Sequence, residues 1–174
     1  MKKLMIVLFS MFLVLSCAGC GSVVAKCGDC NDYFRVHIRA NSNSDIDQDI
    51  KYYVKDVVVT YLTPYLKDCT SKDDVISVVN SKLDDIKNVV DGVLCEKGFD
   101  YVCCVEINNE FFPTKSYENL TLKADYYDAL IIKLGTGTGQ NWWCVMYPNI
   151  CFNEPTNVVY KSKIKEIIKK LKGE

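Results

Sequence analysis

The chain contains a single histidine, His37, so any site that needs an imidazole base must form around this residue. Hydrolysis by a serine or cysteine nucleophile requires such a base within hydrogen-bonding reach. Arg35 and Arg39 alternate with His37 on one side of its segment, and their charges disfavour the protonated imidazole. A lone histidine of this kind is more typical of a structural hydrogen bond than of catalysis. We therefore predict that the protein is not an enzyme, with a hydrolase acting on peptide or cell wall through His37, paired with Asp47 or a cysteine, as the alternative.

The stretch from Gly135 to Cys151, GTGTGQNWWCVMYPNIC, combines alternating glycines with two adjacent tryptophans. A phosphate-binding loop would carry a lysine or run into a helix, and this stretch does neither, so nucleotide binding is disfavoured. The glycines indicate instead a sharp turn with positive φ or close backbone approach. Trp142 and Trp143 follow in an extended segment and point to opposite sides, so at most one of them lies in the core.

Two interpretations of the tryptophans stay open. In one, both are partly buried and each indole N–H donates to a carbonyl group. In the other, one tryptophan is an anchor at an interface, because this residue is enriched among those that carry binding energy. A disulfide between Cys144 and Cys151 around Pro148 would make the segment rigid and lower the entropic cost of recognition.

The N-terminus has the pattern of a secretory signal, since two lysines precede an apolar stretch. We assign residues 1–25 to a signal peptide or an N-terminal membrane anchor, and residues 26–174 to an exported domain. Cys17 and Cys20 lie in lipobox-like contexts, so a lipid anchor is a third option. A metal site formed by Cys17 and Cys20 together with Cys27 and Cys30 is disfavoured, because cleavage of the signal would remove two of its four ligands.

Ten cysteines among 174 residues, together with export, predict disulfides. Cys103 and Cys104 lie in one predicted strand with side chains on opposite faces, so they cannot bond each other. One of them could pair with Cys69 or Cys95. No cofactor and no metal site is predicted.

The composition is that of one globular domain, with 49% hydrophobic residues and a formal net charge of −1. This profile disfavours a disordered chain, and it gives no reason to expect a nucleic-acid partner.

The first half of the chain carries one strand pattern and two helix patterns. Alternation of apolar and polar residues predicts a strand over 33–41 with one buried face. A capping residue, either Ser44 or Asp45, predicts a helix over about 46–65, and a second apolar stripe predicts a helix over 73–95 that stops at Gly98.

The second half changes to strand periodicity. Segments 99–112, 117–122 and 126–134 are predicted strands, and their short links indicate an antiparallel meander. An isoleucine stripe among lysines predicts a C-terminal helix over about 161–172. The predicted fold is a single α+β domain, a mostly antiparallel sheet with packed helices in the order β-α-α-β-β-β-α.

Two segments resemble the stage II sporulation protein R family of endospore-forming bacteria, and the likeness covers nearly the whole exported domain. The segments are FRVHIRANSNSDIDQDIKYYVKDVV, Phe34 to Val58, and YYDALIIKLGTGTGQNWWCVMYPNICF, Tyr126 to Phe152. In the first segment, the residues that match the family motif are Arg35, His37, Ala40, Asn41, Ser42, Asp47, Gln48, Lys51, Val54 and Asp56. In the second segment, they are Gly139 to Val145 and Pro148 to Phe152. Departures from the family pattern are Asn43 for aspartate, Lys55 for arginine, and LKADYYDAL for a more usual Leu-Pro-Ala-Gly before the strand.

The resemblance implies a signal made in the forespore and secreted into the intermembrane space. Its partner would be a membrane-embedded aspartic protease of the mother cell, which removes the pro-segment of the early mother-cell sigma factor, sigma-E. Peripheral membrane contact or an N-terminal anchor is compatible with this role. Residues selected for partner contact or loop geometry are Gln140, Asn141, Trp142 and Trp143, with a second polar cluster of Arg35, His37, Asn41 and Gln48.

Overall fold

The computed structural model describes residues 30–117, 120–150 and 169. The strands are β1 (Phe34–Arg39), β2 (Cys103–Phe112), β3 (Lys115–Tyr117), β4 (Leu120–Leu122), β5 (Asp125–Leu134) and β6 (Asn141–Tyr147). The helices are α1 (Asp45–Leu66), α2 (Lys72–Asn80) and α3 (Leu83–Glu96), and a short 3-10 turn (Cys30–Asp32) precedes β1. The predicted α+β class is confirmed.

Four strands form one sheet in the order β2-β5-β1-β6. β5 runs antiparallel to β2 and parallel to β1, and β6 runs antiparallel to β1. β3 and β4 pair only with each other, as a separate two-stranded hairpin. The sheet is mostly antiparallel, as predicted, but the meander is wrong, because the middle strand segment folds into this hairpin instead of joining the sheet.

The two faces of the sheet are covered by different parts of the chain. Val36 and Ile38 of β1 point to the side that packs against the helices, in the larger apolar cluster. We call this side the helix face. Arg35 points to the other side, toward Phe112 and Tyr127, where a smaller apolar cluster lies beneath the β3–β4 hairpin. We call that side the hairpin face.

The prediction that β1 has one buried face is wrong. Arg35 is 0% exposed and His37 is 3% exposed, although their residue types indicated a solvent-facing side. The physical reason is the hairpin face, which is closed by aromatic and aliphatic residues that are distant in sequence. The alternation of apolar and polar residues in a strand indicates which side chains are polar, but whether they are buried depends on packing with distant segments.

The helices follow the predicted boundaries except at one break. The Ser44 hydroxyl accepts a hydrogen bond from the Asp47 amide at the start of α1, as its capping position predicted. The single helix predicted over 73–95 is two helices, because Lys82 has φ −114° and ψ 4°, outside the helical region. Gly98 ends α3 with a φ of 81°, the left-handed conformation expected of a helix stop.

β6 is absent from the predicted order, because its residues follow a glycine turn and do not show strict alternation. The predicted C-terminal helix lies outside the described residues apart from Lys169, and the N-terminal segment 1–25 lies outside them as well. Among the helices that the structure describes, none has the length and apolar character needed to cross a bilayer.

Candidate functional site

The glycine turn between β5 and β6 has the backbone features that its sequence predicted. Gly135 and Gly137 have φ values of 54° and 63°. Gly139 has no unusual φ, but a Cβ placed on it would lie 2.1 Å from the Ser42 carbonyl oxygen. Its own amide donates to the Ala40 carbonyl at 2.9 Å. The turn therefore packs directly on the loop that follows β1, which fixes where β6 begins.

Asn41 and Asp47 join the two loops through a compact hydrogen-bond network. The Asn41 side chain accepts from the Thr136 amide at 3.0 Å and donates to Asp47 at 3.1 Å. Asp47 also accepts from the Ser42 hydroxyl at 2.5 Å and the Tyr101 hydroxyl at 2.6 Å. Burial alone would raise the pKa of Asp47, but these hydrogen bonds lower it below its usual value.

Gln48 and Gln140 belong to the same region and not to the hairpin face. Gln48 donates to the Ser42 carbonyl at 2.8 Å and accepts from Lys51 at 2.6 Å. The ammonium group of Lys51, which is 1% exposed, also donates to the Gln140 carbonyl at 3.2 Å. The predicted polar cluster is therefore divided: Asn41 and Gln48 hold the glycine turn against α1, away from Arg35 and His37.

The tryptophans lie on opposite faces of the sheet, and both are half-buried. Trp142 packs against the larger cluster on the helix face. Trp143 lies on the hairpin face, where its ring is 5.4 Å from the His37 ring and the Lys115 ammonium group is 4.4 Å from its centroid. The prediction of opposite sides is confirmed. The Trp143 indole N–H, however, finds no hydrogen-bond acceptor among the described residues, contrary to the interpretation that gave each indole a carbonyl.

His37 is held by an acid that the sequence did not indicate. Its Nδ1 lies 2.9 Å from Oε2 of Glu110 on β2, and Arg39 binds the other oxygen of the same carboxylate. A carboxylate only accepts, so Nδ1 carries the proton in the neutral ring. Asp47, the predicted acid partner, is instead bound to Ser42 and Tyr101. The His37–Asp47 pair considered for the alternative hydrolase does not form.

The environment of His37 keeps the ring neutral. Burial lowers its pKa to about 4, and the charges of Arg39, Arg35 and Lys133 act in the same direction. The amide of Asn141 lies close enough to oppose this effect, although its geometry is not that of a hydrogen bond to Nε2. The expectation that the arginines disfavour the imidazolium is confirmed, with burial as the larger cause.

Arg35 lies in a cage of aromatic rings. Its guanidinium carbon is 4.1 Å from the Phe112 centroid, 4.8 Å from that of Tyr127 and 6.0 Å from that of Tyr117. Nη2 donates to the Tyr117 hydroxyl at 2.7 Å. Burial lowers the pKa of Arg35 from its ordinary value, which reflects the cost of keeping a charge in this cage.

Buried polar atoms without partners are concentrated on the hairpin face. Among the described residues they are Nε and Nη1 of Arg35, Nε2 of His37, Nε of Arg39, Nε1 of Trp143 and, elsewhere, Oγ1 of Thr60. Each such atom costs free energy on the order of 1–3 kcal/mol. Native structures contain few of them, so their grouping marks this face as a candidate binding site.

Sequence reasoning missed four residues of this site: Glu110, Phe112, Tyr117 and Tyr127. Each comes from a strand other than β1 and β6, and each reaches the hairpin face through the register of β2 with β5 or through the β3–β4 hairpin. No local signal identifies them, because the sequence assigned Arg35 to a solvent-facing side and its neighbours come from distant strands.

The described part of the chain contains both free thiols and a disulfide-bonded cysteine. Cys69, Cys95, Cys103 and Cys104 are free, so the pairing considered for Cys103 or Cys104 with the other two does not occur. Cys144 is disulfide-bonded, and its predicted partner lies outside the described residues. In the part of the chain that the structure describes, no group of three or more histidines, cysteines or acids is placed to hold a metal ion.

The sequence matches known proteins over most of its length. The profile of a family described as stage II sporulation protein R matches residues 30–157. A protein of Bacillus subtilis (strain 168) described as stage II sporulation protein R is 35% identical over 181 aligned residues, which cover 98% of this chain and 81% of that protein. No solved structure matches the chain.

Proposed function

Because this chain belongs to the stage II sporulation protein R family, we propose that it is an exported signalling protein of sporulation that binds and activates a membrane-embedded aspartic protease. The protease would then process the precursor of the early mother-cell sigma factor, sigma-E. The protein itself would carry out no chemical step. It would be made in the forespore and act in the intermembrane space.

The observation that supports a binding role is the grouping of unsatisfied donors on the hairpin face. Arg35, Arg39 and Trp143 each present at least one buried N–H without an acceptor among the described residues. A protein that keeps such groups loses stability unless a partner supplies the acceptors. The same face includes Arg35, His37 and Trp143, three residues of the family motifs.

Activation by binding requires that the signal prefer the active form of the protease. A ligand shifts an equilibrium only by its difference in affinity for the two states, and we propose an active, dimeric state as the favoured one. The rigid placement of Trp143 supports this role, since a fixed side chain loses little entropy on binding. A Cys144–Cys151 disulfide would add to this rigidity.

Export follows in this proposal from residues 1–25, as a cleaved signal or an anchor that leaves the domain outside the forespore membrane. Mass spectrometry of the mature N-terminus would distinguish cleavage, an uncleaved anchor and a lipid on Cys17 or Cys20.

Reconstitution tests the proposal. The full chain is co-expressed with the sporulation protease and the sigma-E precursor in a host that does not sporulate, and cleavage of the precursor is followed by immunoblot. Cleavage should require both the protease and this chain. Equal cleavage without this chain would show that it is not the activating signal.

A matched pair of variants tests the surface. Trp143→Phe keeps an aromatic ring but removes the indole N–H on the hairpin face, and Trp142→Phe makes the same change on the helix face. We expect the first to lower cleavage of the precursor and the second to leave it near the level of the unmodified chain, at equal protein abundance. Equal effects of the two variants would remove the hairpin face from the proposal.

One observation favours the alternative, an exported hydrolase acting on peptide or cell wall. His37 is oriented by Glu110 through Nδ1 and keeps Nε2 without a partner among the described residues, which is how a carboxylate holds a histidine base. Against it, Arg39 also binds this carboxylate, and Cys144 lies on the opposite face, in the larger cluster.

The His37→Gln variant separates the two functions. The purified full chain is incubated with cell-wall fragments and with a peptide library, and the products are analysed by mass spectrometry. Turnover by the unmodified chain that disappears in His37→Gln would establish the hydrolase. No turnover, together with protease activation in the reconstituted host, agrees with the signalling role.

A further inference from the structure

Arg35 is a buried cation without a counter-ion among the described residues. It is 0% exposed, and it is surrounded by three aromatic rings and one phenolic hydroxyl. Nε and Nη1 have no acceptor in the part of the chain that the structure describes. Aromatic faces attract a guanidinium, but they do not accept its in-plane N–H groups as an oxygen does.

The acids of the hairpin face are committed to other cations. Glu110 binds Arg39 and His37, and Glu106 binds Lys133 at 2.8 Å. Lys115, above the ring of Trp143, forms no ion pair within the described ranges. The face therefore carries an excess of positive charge at Arg35 and Lys115, next to the unsatisfied indole of Trp143.

We propose that Arg35 is the receptor for a carboxylate of a protein partner, an aspartate or glutamate side chain that replaces the Tyr117 hydroxyl as the acceptor on the guanidinium. A carboxylate offers two oxygens to the fork of N–H groups and supplies the missing negative charge. The excess positive charge of Arg35 and Lys115 on the hairpin face would attract an acidic segment of the partner. The identity of the partner rests on the proposed function; the carboxylate site does not.

In this proposal Tyr117 is the group that must move. It lies at the end of β3, is half-buried, and pairs only with β4 of the separate hairpin. Its hydroxyl is a neutral acceptor 2.7 Å from Nη2, whereas Nε and Nη1 have no acceptor among the described residues. Displacing it would expose Nε and Nη2 to a carboxylate together.

The chain has two arginines, Arg35 and Arg39, which makes the test direct. The full chain is labelled with ¹⁵N-arginine, held in mild detergent, and titrated with acetate while chloride keeps the ionic strength constant. Two Nε–H signals are expected, assigned through Arg39→Lys. The Arg35 signal should shift and saturate, with half-saturation at about 1–100 mM acetate. Arg39 already has Glu110 as its counter-ion through Nη2, so its Nε–H signal should shift much less than that of Arg35 and serves as the internal comparison.

Two variants separate a binding site from a structural contact. Tyr117→Phe removes the acceptor that acetate must displace, so half-saturation should occur at about three- to tenfold lower acetate. If Tyr117 only supports the fold, this variant will leave the acetate response unchanged or weaken it. Lys133→Met, which changes a cation of the same face that is already paired, should not alter the titration.

The outcomes are distinct from those of the reconstitution experiment, because no protease is present. An Arg35 signal that does not respond to acetate, or responds equally to phosphate and chloride, overturns the carboxylate site and leaves protease activation to be judged by precursor cleavage. A saturable response with no dependence of cleavage on this chain would retain the site and reject the protease as its partner.

Discussion

Nδ1 of His37 lies 2.9 Å from Oε2 of Glu110 across the hairpin face, so the one histidine of the chain is buried against a carboxylate that also binds Arg39. The ring nevertheless stays neutral at physiological pH, because burial and the surrounding cations outweigh the carboxylate. This contact joins β1 to β2 across β5, and the burial that keeps the ring neutral makes the stability of the fold sensitive to acid.

Acidification should destabilise the protein through His37. Its pKa falls from 6.5 to about 4 on folding, so between these values the unfolded chain binds a proton that the native state excludes. Stability therefore decreases as the pH falls from about 6.5 toward 4, by on the order of 3 kcal/mol. Urea unfolding of the full chain at a series of pH values measures this slope. His37→Gln keeps Glu110 and should flatten the curve in this window; an unchanged slope would assign the effect to other groups.

Gly139→Ala should be far more damaging than the same change at Gly98. The new methyl group at position 139 would lie 2.1 Å from the Ser42 carbonyl oxygen, a backbone atom that cannot turn aside. We expect a loss of about 3 kcal/mol or more in the free energy of unfolding. Gly98 has a φ of 81° and open space around it, so alanine there should cost about 1 kcal/mol. Equal losses in thermal unfolding would contradict the close approach of the turn.

Arg35→Met and Lys51→Met should differ although both remove a buried cation. Lys51 donates to the Gln48 side chain and the Gln140 carbonyl. Its loss leaves the Gln48 oxygen without this donor and the Gln140 carbonyl with only the 3.4 Å bond from the Ala40 amide, at a cost of about 2–3 kcal/mol. Arg35 brings two unsatisfied N–H groups into the core, so methionine should leave stability within about 1 kcal/mol of the original. Denaturant midpoints report the comparison. A larger loss for Arg35→Met would mean that the aromatic cage is a structural requirement of the fold.

Cys103 and Cys104 should react very differently with a maleimide. Cys104 is exposed, whereas Cys103 is buried and burial, together with its contact to Asp91, raises the pKa of its thiol. The peptide spanning 98–115 should therefore take one label in the native protein and a second only after unfolding. Digestion and mass spectrometry count the labels. Rapid addition of two labels to the native protein would contradict the burial of Cys103. So would labelling of this peptide in the Cys104→Ser variant at the rate seen in the unmodified chain.

Local features were predicted well because their causes are local. The Ser44 cap, the stop at Gly98 and the glycine turn each depend on the conformational preferences of a few neighbouring residues. Gly139 is a partial exception, since its reason is a contact with Ser42, which is distant in sequence. The glycine pattern predicted that another part of the backbone approaches closely here, but it did not identify that part as Ser42.

The candidate site was predicted only in part, because its environment is built by distant segments. The sequence selected Arg35, His37 and Trp143, but it gave Arg35 and His37 a solvent-facing side, and the alternative hydrolase paired the histidine with Asp47 or a cysteine. The β3–β4 hairpin and the register of β2 on β5 reverse both conclusions. Neither feature can be predicted from the neighbouring residues, since the register of a strand depends on which distant strand pairs with it.

The central position of β1 has a consequence for the order in which the chain can fold. Arg35 is in register with Ala129 of β5 on one side and with Val145 of β6 on the other. β1 is synthesised first, but the two strands that pair with it are synthesised last. Closing such long loops slows folding. The sheet therefore cannot assemble behind the growing end of the chain, and a nascent copy remains free of this sheet for most of its synthesis.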